Sequence, residues 1–352
     1  MPKSFTIGSH EVGPNHPPFI IAEMSGNHNG DLERAKEIIR QCAAAGAHAV
    51  KIQTYTADTM TIDVDDDRFR LSKNHPLWAG RSLYSLYDEA HTPWEWHEEL
   101  FALGRELGVI VFSTPFDSTA VDLLESLGAP VYKIASLEVI DLPLIRRVAA
   151  TGKPVILSTG AATLSEIDMA VTAAREAGCE NLVVLGCTSS YPAPPEETNL
   201  RSIPVLETAF DVVVGLSDHT MGVAVSTAAI AIGARVIEKH VTLSREDGGV
   251  DSAFSLEPHE LTELVTGTRE AFLALGNGKI EPSSAEAESQ RFRRSLFVVK
   301  DVAAGDAVTT ENVRAIRPSG GLEPDAITDV MGRRFASDYV AGTPVSWDLF
   351  TL

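Results

Sequence analysis

The sequence predicts an α/β chain: a (β/α)₈ barrel followed by a small C-terminal β-rich domain. Three observations carry that expectation. From residue 18 to about 275, eight short apolar runs alternate with longer amphipathic segments. The runs are continuously apolar and rich in Val and Ile, as strands buried on both faces are. After a polar stretch at 276–290 the pattern changes to short strands separated by Gly turns.

In order, the runs are PFIIAEM (18–24), AHAVKIQ (47–53), VIVFST (109–114), PVYKIAS (130–136), PVILSTG (154–160), NLVVLGC (181–187), VVVGLSD (212–218) and RVIEKH (235–240). Segments such as LERAKEIIRQCAAAGA, TAVDLLESLGA, SEIDMAVTAAREAGC and GVAVSTAAIAIGA lie between them, each ending near Gly, a helix stop signal. A doubly wound open sheet also alternates strands and helices, but it does not need eight evenly spaced units. The catalytic domain is therefore placed at 1–275, a linker rich in Gly, Ser and Glu at 276–290, and a compact β-rich domain at 291–352. The largest departure from regular spacing is 54–92. This insertion carries an acidic stretch (Asp63, Asp65, Asp66, Asp67) and opens an aromatic stretch running from Trp78 to Trp96. The charge run reads as a solvated face, and Trp94 and Trp96 as packing residues. A long βα insertion on a barrel nevertheless sits on the active-site face.

The 352 residues include 29 Lys+Arg against 49 Asp+Glu, a net charge of −20, which argues against nucleic acid or an anionic membrane as the main partner. An anionic small molecule stays open, because a local cluster of Lys and Arg can oppose the global field. Three cysteines without a CxxC pair argue against a disulfide framework or a cysteine zinc site. No apolar run reads as a signal peptide or a membrane span, so a soluble cytoplasmic protein is expected.

Nearly every strand run ends in residues that can do chemistry: Glu23, Lys51 and Gln53, Ser113 and Thr114, Lys133, Ser158 to Gly160, Cys187 to Ser189, Ser217 to His219, and Glu238 to His240. In a (β/α)₈ barrel these ends converge on one mouth, the face that carries catalysis. His219 and His240 close neighbouring strands, beside Asp218 and Glu238. Two such imidazoles can bind one divalent metal while substrate and water complete an open coordination sphere. Mn²⁺ or Mg²⁺ suits that donor set better than structural zinc. Lys51 and Lys133 inside a barrel mouth need an anion to face. With Ser158, Thr159 and Gly160 they suggest a phosphate or carboxylate cradle; a Schiff-base lysine and a salt-bridged structural lysine are the competing readings. Glu23, heading AEMSGNHNG, is a general acid or base, or a sugar-hydroxyl ligand. Tyr191 is held on a stiff loop before Pro192, and Cys187 reads as a small buried residue.

These motifs resemble the sialic acid synthase family, phosphoenolpyruvate-dependent enzymes that make nonulosonic acids. The matching pieces are AEMSGNHNG, VKIQTY, STPFD, YKIAS, LSTG, CTSSYP, GLSDHT and IEKH, with RRSLFV and AIRPSGG resembling the family's small antifreeze-like (SAF) domain. Within the family, SLYSLYDEAHTPWEWH, CTSSYPAP and DSAFSLEP are similar to the branch whose product is pseudaminic acid. The resemblance implies condensation of phosphoenolpyruvate with an open-chain amino-sugar aldehyde, assisted by a divalent metal (Mn²⁺ first, Mg²⁺ or Co²⁺ as alternatives) on His219 and His240. It implies Lys51, Lys133, Ser158 and Ser217 on phosphoenolpyruvate, with Thr159, Gly160 and Ser189 beside them. Ser189 stands where relatives often have Asn. Glu23, Gln53, Tyr191 and Asp251 are implied near the sugar or the bond-forming centre. A domain-swapped homodimer is also implied, in which Arg317 of AIRPSGG reaches the partner's site. The sugar could instead be N-acetylmannosamine or the legionaminic precursor. A metal-dependent aldolase or epimerase would use the two histidines and Glu23 but leaves the paired lysines unexplained. A non-catalytic sugar or ice binder is the third class.

Overall fold

A computed structural model describes residues 3–73 and 78–351, so four residues of the expected 54–92 insertion, 74–77, lie outside the described residues. The chain divides into two compact units, Met1–Gly276 and Asn277–Leu352. The first opens with a hairpin, β1 (Phe5–Ile7) and β2 (His10–Val12), and continues into eight strands. These are β3 (Phe19–Glu23), β4 (Ala49–Thr54), β5 (Ile110–Pro115), β6 (Tyr132–Ile134), β7 (Val155–Ser158), β8 (Leu182–Cys187), β9 (Val213–Asp218) and β10 (Val236–His240). They form one closed parallel barrel in chain order, with β10 pairing back onto β3. All eight apolar runs become its strands.

Strand side chains alternate between the two faces, and the packing follows that alternation. Phe19, Ile21, Ala49, Phe112, Ile156, Val183, Leu185, Val213 and Val236 cluster inside the barrel, joined by Ile7 and Val12 of the hairpin. Their neighbours Ile20, Ala22, Val50, Ile52, Leu157, Val184 and Leu216 face out, into a larger core shared with the helices. In the interior Gly215 leaves no room for a side chain: a Cβ would lie 2.6 Å from Leu185 Cδ2 and nearer still to Val236 O.

Outer helices form where apolar residues recur at helical spacing behind a cap. In Leu32–Ala44 the buried residues are Ala35, Ile38, Ile39 and Cys42, and Asp31 caps the amides of Glu33 and Arg34. Thr163 and Glu166 form a capping box at the start of Leu164–Glu176. The insertion after β4 holds a short helix, Ala57–Met60, and a second, Leu83–Ala90, capped by Ser82.

In the second unit, residues 277–290 are exposed throughout, with one short helix at Ala287–Gln290. Beyond them β11 (Ser295–Val298) and β12 (Val313–Ile316) pair antiparallel. Leu296, Val298, Val313, Val330, Phe335 and Val345 form this unit's own core. Among the described residues no helix is long and apolar enough to cross a membrane.

Candidate active site

At the C-terminal mouth of the barrel lies a cavity of about 320 Å³, within the range of small-molecule sites. Glu23, Lys51, Gln53, Lys133, Ser158, Tyr191, Ser217, His219, His240 and Asp251 all line it. The alternation that fills the interior with Val and Ile lower down puts Glu23, Lys51, Lys133, Ser158, Ser217 and Glu238 at the inward positions of the last layer. Register then sets neighbours side by side: His240 against Glu23, Glu23 against Lys51, and Ser217 against Glu238.

The floor is a buried lattice of charge. Lys51 Nζ lies 2.8 Å from Glu23 Oε2 and 3.6 Å from Glu238 Oε1, and donates to Thr114 Oγ1 at 3.1 Å. Lys133 Nζ lies 3.6 Å from the same Glu238 oxygen, to which Ser217 Oγ donates at 3.4 Å. Burial works against charge on every one of these groups. At Lys51 the two carboxylates more than offset it, and its pKa is raised; at Lys133 burial wins and holds the pKa below the ordinary value. The carboxylates divide likewise. Burial raises Glu23, whereas two lysines overcome burial at Glu238 and keep it ionised. Gln53 Nε2 donates to Glu23 Oε1 at 2.9 Å and fixes its orientation.

Polar atoms left over at this floor point to a ligand. Ser158 Oγ, Glu238 Oε2 and His240 Nδ1 are buried, and none has a hydrogen-bond partner among the described residues. Buried polar groups are normally satisfied, so such a cluster calls for an occupant. The two imidazoles, with ring centres 5.3 Å apart, fit a divalent metal. His219 Nδ1 lies 2.8 Å from the Thr188 carbonyl, which can only accept, so Nδ1 carries a proton; burial opposes charge on this ring, but its contact with Cys187 outweighs burial and raises its pKa. Burial holds His240 well below the ordinary imidazole value, in the neutral form a metal needs. Among the described residues no three His, Cys, Asp or Glu side chains form a complete metal site, so water and substrate would fill the remaining positions.

Asp251 approaches from the loop after β10. Its Oδ2 accepts from the Ser25 hydroxyl and lies 3.7 Å from His240 Nδ1; burial raises its pKa. Tyr191 packs on His219 at 4.3 Å.

Three sequence candidates, Thr159, Gly160 and Ser189, do not line the cavity. Thr159 follows inward Ser158 and so turns outward, its hydroxyl donating to Leu185 O at 3.0 Å. The Gly160 amide donates to Ser136 Oγ at 3.1 Å, so it is not a free member of an amide cradle. Ser189 stands behind Gly160, where an added Cβ would collide with its hydroxyl. That hydroxyl is buried without a partner among the described residues. Arg317 lies exposed on the C-terminal unit, just after β12.

Strand parity also corrects the setting expected for the histidines. Asp218 faces out and is consumed by Lys239 Nζ at 2.9 Å and Ser226 Oγ at 2.5 Å. Glu238 is the inward partner. The sequence names it beside the histidines without a role, although its spacing of two from His240 was the signal for one. Trp94 and Trp96 pack rather than line the site: the Trp94 indole donates to Tyr55 O at 3.1 Å, and Trp96 meets His28 edge-on.

Comparison with known proteins shows the family and the fold. Residues 38–280 match the NeuB family model, and residues 293–351 the SAF domain. The chain belongs to the NeuB family. It is 43 % identical over 334 residues to the pseudaminic acid synthase of Helicobacter pylori, covering 94 % of this chain and 97 % of that one. It is 36 % identical over 335 residues to the N,N'-diacetyllegionaminic acid synthase of Legionella pneumophila, covering 94 % of each. Among solved structures, the N-acetylneuraminic acid synthetase of Leptospira borgpetersenii in complex with citrate superposes with a TM-score of 0.72 at 35 % identity, over 82 % of this chain and 95 % of that one. These NeuB-family relatives are enzymes of the sialic acid synthase type, and the two-part architecture is the one the sequence predicts.

Proposed function

We propose that this NeuB-family chain is a pseudaminic acid synthase, condensing phosphoenolpyruvate with open-chain 2,4-diacetamido-2,4,6-trideoxy-altrose to give the nonulosonic acid and phosphate. The observation that carries the reading is the pair of buried lysines beside the unpartnered Ser158 hydroxyl, a floor built for a compact polyanion. The relatives' names supply the sugar.

Lys51, Lys133, Ser158 and Ser217 hold the phosphate and carboxylate of phosphoenolpyruvate, and Glu238 keeps the two ammonium groups aligned between turnovers. A divalent metal on His219 and His240 would act as a Lewis acid on the aldehyde oxygen. Glu23, raised by burial and oriented by Gln53, is placed to carry the proton that this oxygen gains. C3 of phosphoenolpyruvate bonds to the aldehyde carbon, water adds at C2, and phosphate leaves with cleavage of its C–O bond. Tyr191 and Asp251 bound the sugar side. Arg317 reaches the site of a second copy in a domain-swapped dimer.

The test is phosphate release from phosphoenolpyruvate with Mn²⁺, comparing the diacetamido-trideoxy altrose with N-acetylmannosamine. Release with the first and little with the second is expected, along with loss of activity on chelation and recovery with added Mn²⁺. Preferential release with N-acetylmannosamine would keep the chemistry and overturn the sugar. No release with any aldehyde sugar would overturn both.

A further inference from the structure

The cavity has two kinds of lining. Its charged and hydroxyl groups sit on strand ends, whereas an apolar wall comes from Leu71, Leu83, Leu86 and Tyr87 of the 54–92 insertion, together with Val250. Leu71, Leu83 and Val250 are only half buried, so apolar surface is left facing the cavity.

Two contacts link the wall to neighbouring segments of the mouth. The Trp78 indole N–H donates to the Val250 carbonyl at 3.0 Å, joining the insertion to the loop that carries Asp251. Beneath, Gly26 lets the helix Leu83–Ala90 sit close: an added Cβ would lie 2.5 Å from Val250 Cγ2 and 3.2 Å from Ala90. Tyr191 connects wall to floor, 6.4 Å from Trp78 and 4.3 Å from His219.

We propose that this wall is the specificity element of the site, taking the methyl terminus of a 6-deoxy sugar and disfavouring a sugar that ends in a hydroxymethyl group. The inference rests on the synthase reading. With the aldehyde carbon at the histidines, C6 is the sugar carbon farthest from the floor. A terminal hydroxyl brought against leucine and valine loses its water partners and gains none, whereas a methyl gains burial. An apolar pocket discriminates against an added hydroxyl by about 10²-fold. Trp78 is a positioning residue, acting through Val250.

The experiment compares kcat/KM for 2,4-diacetamido-2,4,6-trideoxy-altrose with that for its 6-hydroxy counterpart, in the full chain and in Leu71→Asn and Leu83→Asn. Both positions are half exposed, so neither change empties a core. The wild type is expected to favour the deoxy sugar by about 10²-fold. Each variant is expected to compress that ratio about tenfold while leaving KM for phosphoenolpyruvate unchanged. Trp78→Phe, which removes the indole donor, is expected to compress the ratio less. A ratio unmoved in both leucine variants overturns the wall, as does an equal loss with both sugars or a parallel rise in KM for phosphoenolpyruvate. If the wild type itself prefers N-acetylmannosamine, the assignment of sugar falls and the wall with it. If it prefers the deoxy sugar and the variants keep the ratio, the wall falls alone.

Discussion

The floor and the wall of the cavity are built on opposite principles. The floor consists of Glu23, Lys51, Lys133 and Glu238, charges on four strands fixed by register, each pinned by neighbours that are themselves buried. The wall consists mostly of apolar side chains on an insertion, whose ties to the mouth include the Trp78 indole hydrogen bond and the close approach at Gly26. On the proposed reading the contrast separates two tasks. A reaction shared across a family belongs on the strands, where a sub-ångström displacement is resisted by the whole barrel. Choice of substrate belongs on a segment that can change without disturbing that frame.

The largest expected effect breaks the floor. Lys133→Met removes one of two cations facing the anion and should lower phosphate release by about 10²–10³-fold or more in a steady-state assay, whichever sugar is offered. A fall confined to one sugar would mean that the division between floor and wall is misdrawn.

Acid should loosen the packing where the insertion leaves and rejoins the barrel. His97 bonds Thr54 at the start of the insertion (2.7 Å), and His28 packs on Trp96; burial holds both near pKa 4, with His91 adding to the effect at His28. Their unfolded value is near 6.5, so the unfolded chain binds more protons between about pH 6.5 and 4. Stability is fully present above that window and falls through it, by up to about 3 kcal/mol for each histidine. Melting temperatures measured from pH 7.5 to 4.5 should decline, less so in His97→Gln. A flat profile would show that neither ring is held neutral.

The smallest effect sharpens the comparison. Gly26→Ala needs no unusual backbone but pushes Val250 and Ala90 apart, so KM for the sugar should rise severalfold while KM for phosphoenolpyruvate stays constant. Separate titrations of the two substrates check this.

The floor was largely legible in the sequence because strand ends are marked locally, by an apolar run followed by a polar residue. His219, His240, Lys51 and Lys133 needed nothing more. Strand parity was the finer signal, and it would have separated inward Glu238 from outward Asp218, which were named together, and set Thr159 aside. The wall was not legible in that way. Leu71 and Val250 carry no motif, Leu83 lies in a quoted stretch but without chemistry of its own, and Val250 is 167 to 179 residues further along the chain than these two leucines. The Gly160 amide was misjudged because its acceptor, Ser136, comes from a different loop.

Closure of the barrel has a kinetic consequence. The pairing of β10 with β3 sets Val236 beside Phe19, and the same interior cluster holds Ile7. The first residues made thus wait for nearly the last strand before they are dry, a contact of very long range in sequence and a slow one to form. Glu23 and Lys51 emerge early from the ribosome, Glu238 and His240 late. Until the final strand docks, the early carboxylate and lysine lack the partners that later bury them. The charged floor is therefore complete only after β10 has docked, and a chain that stops short of β10 presents an open sheet edge in its place.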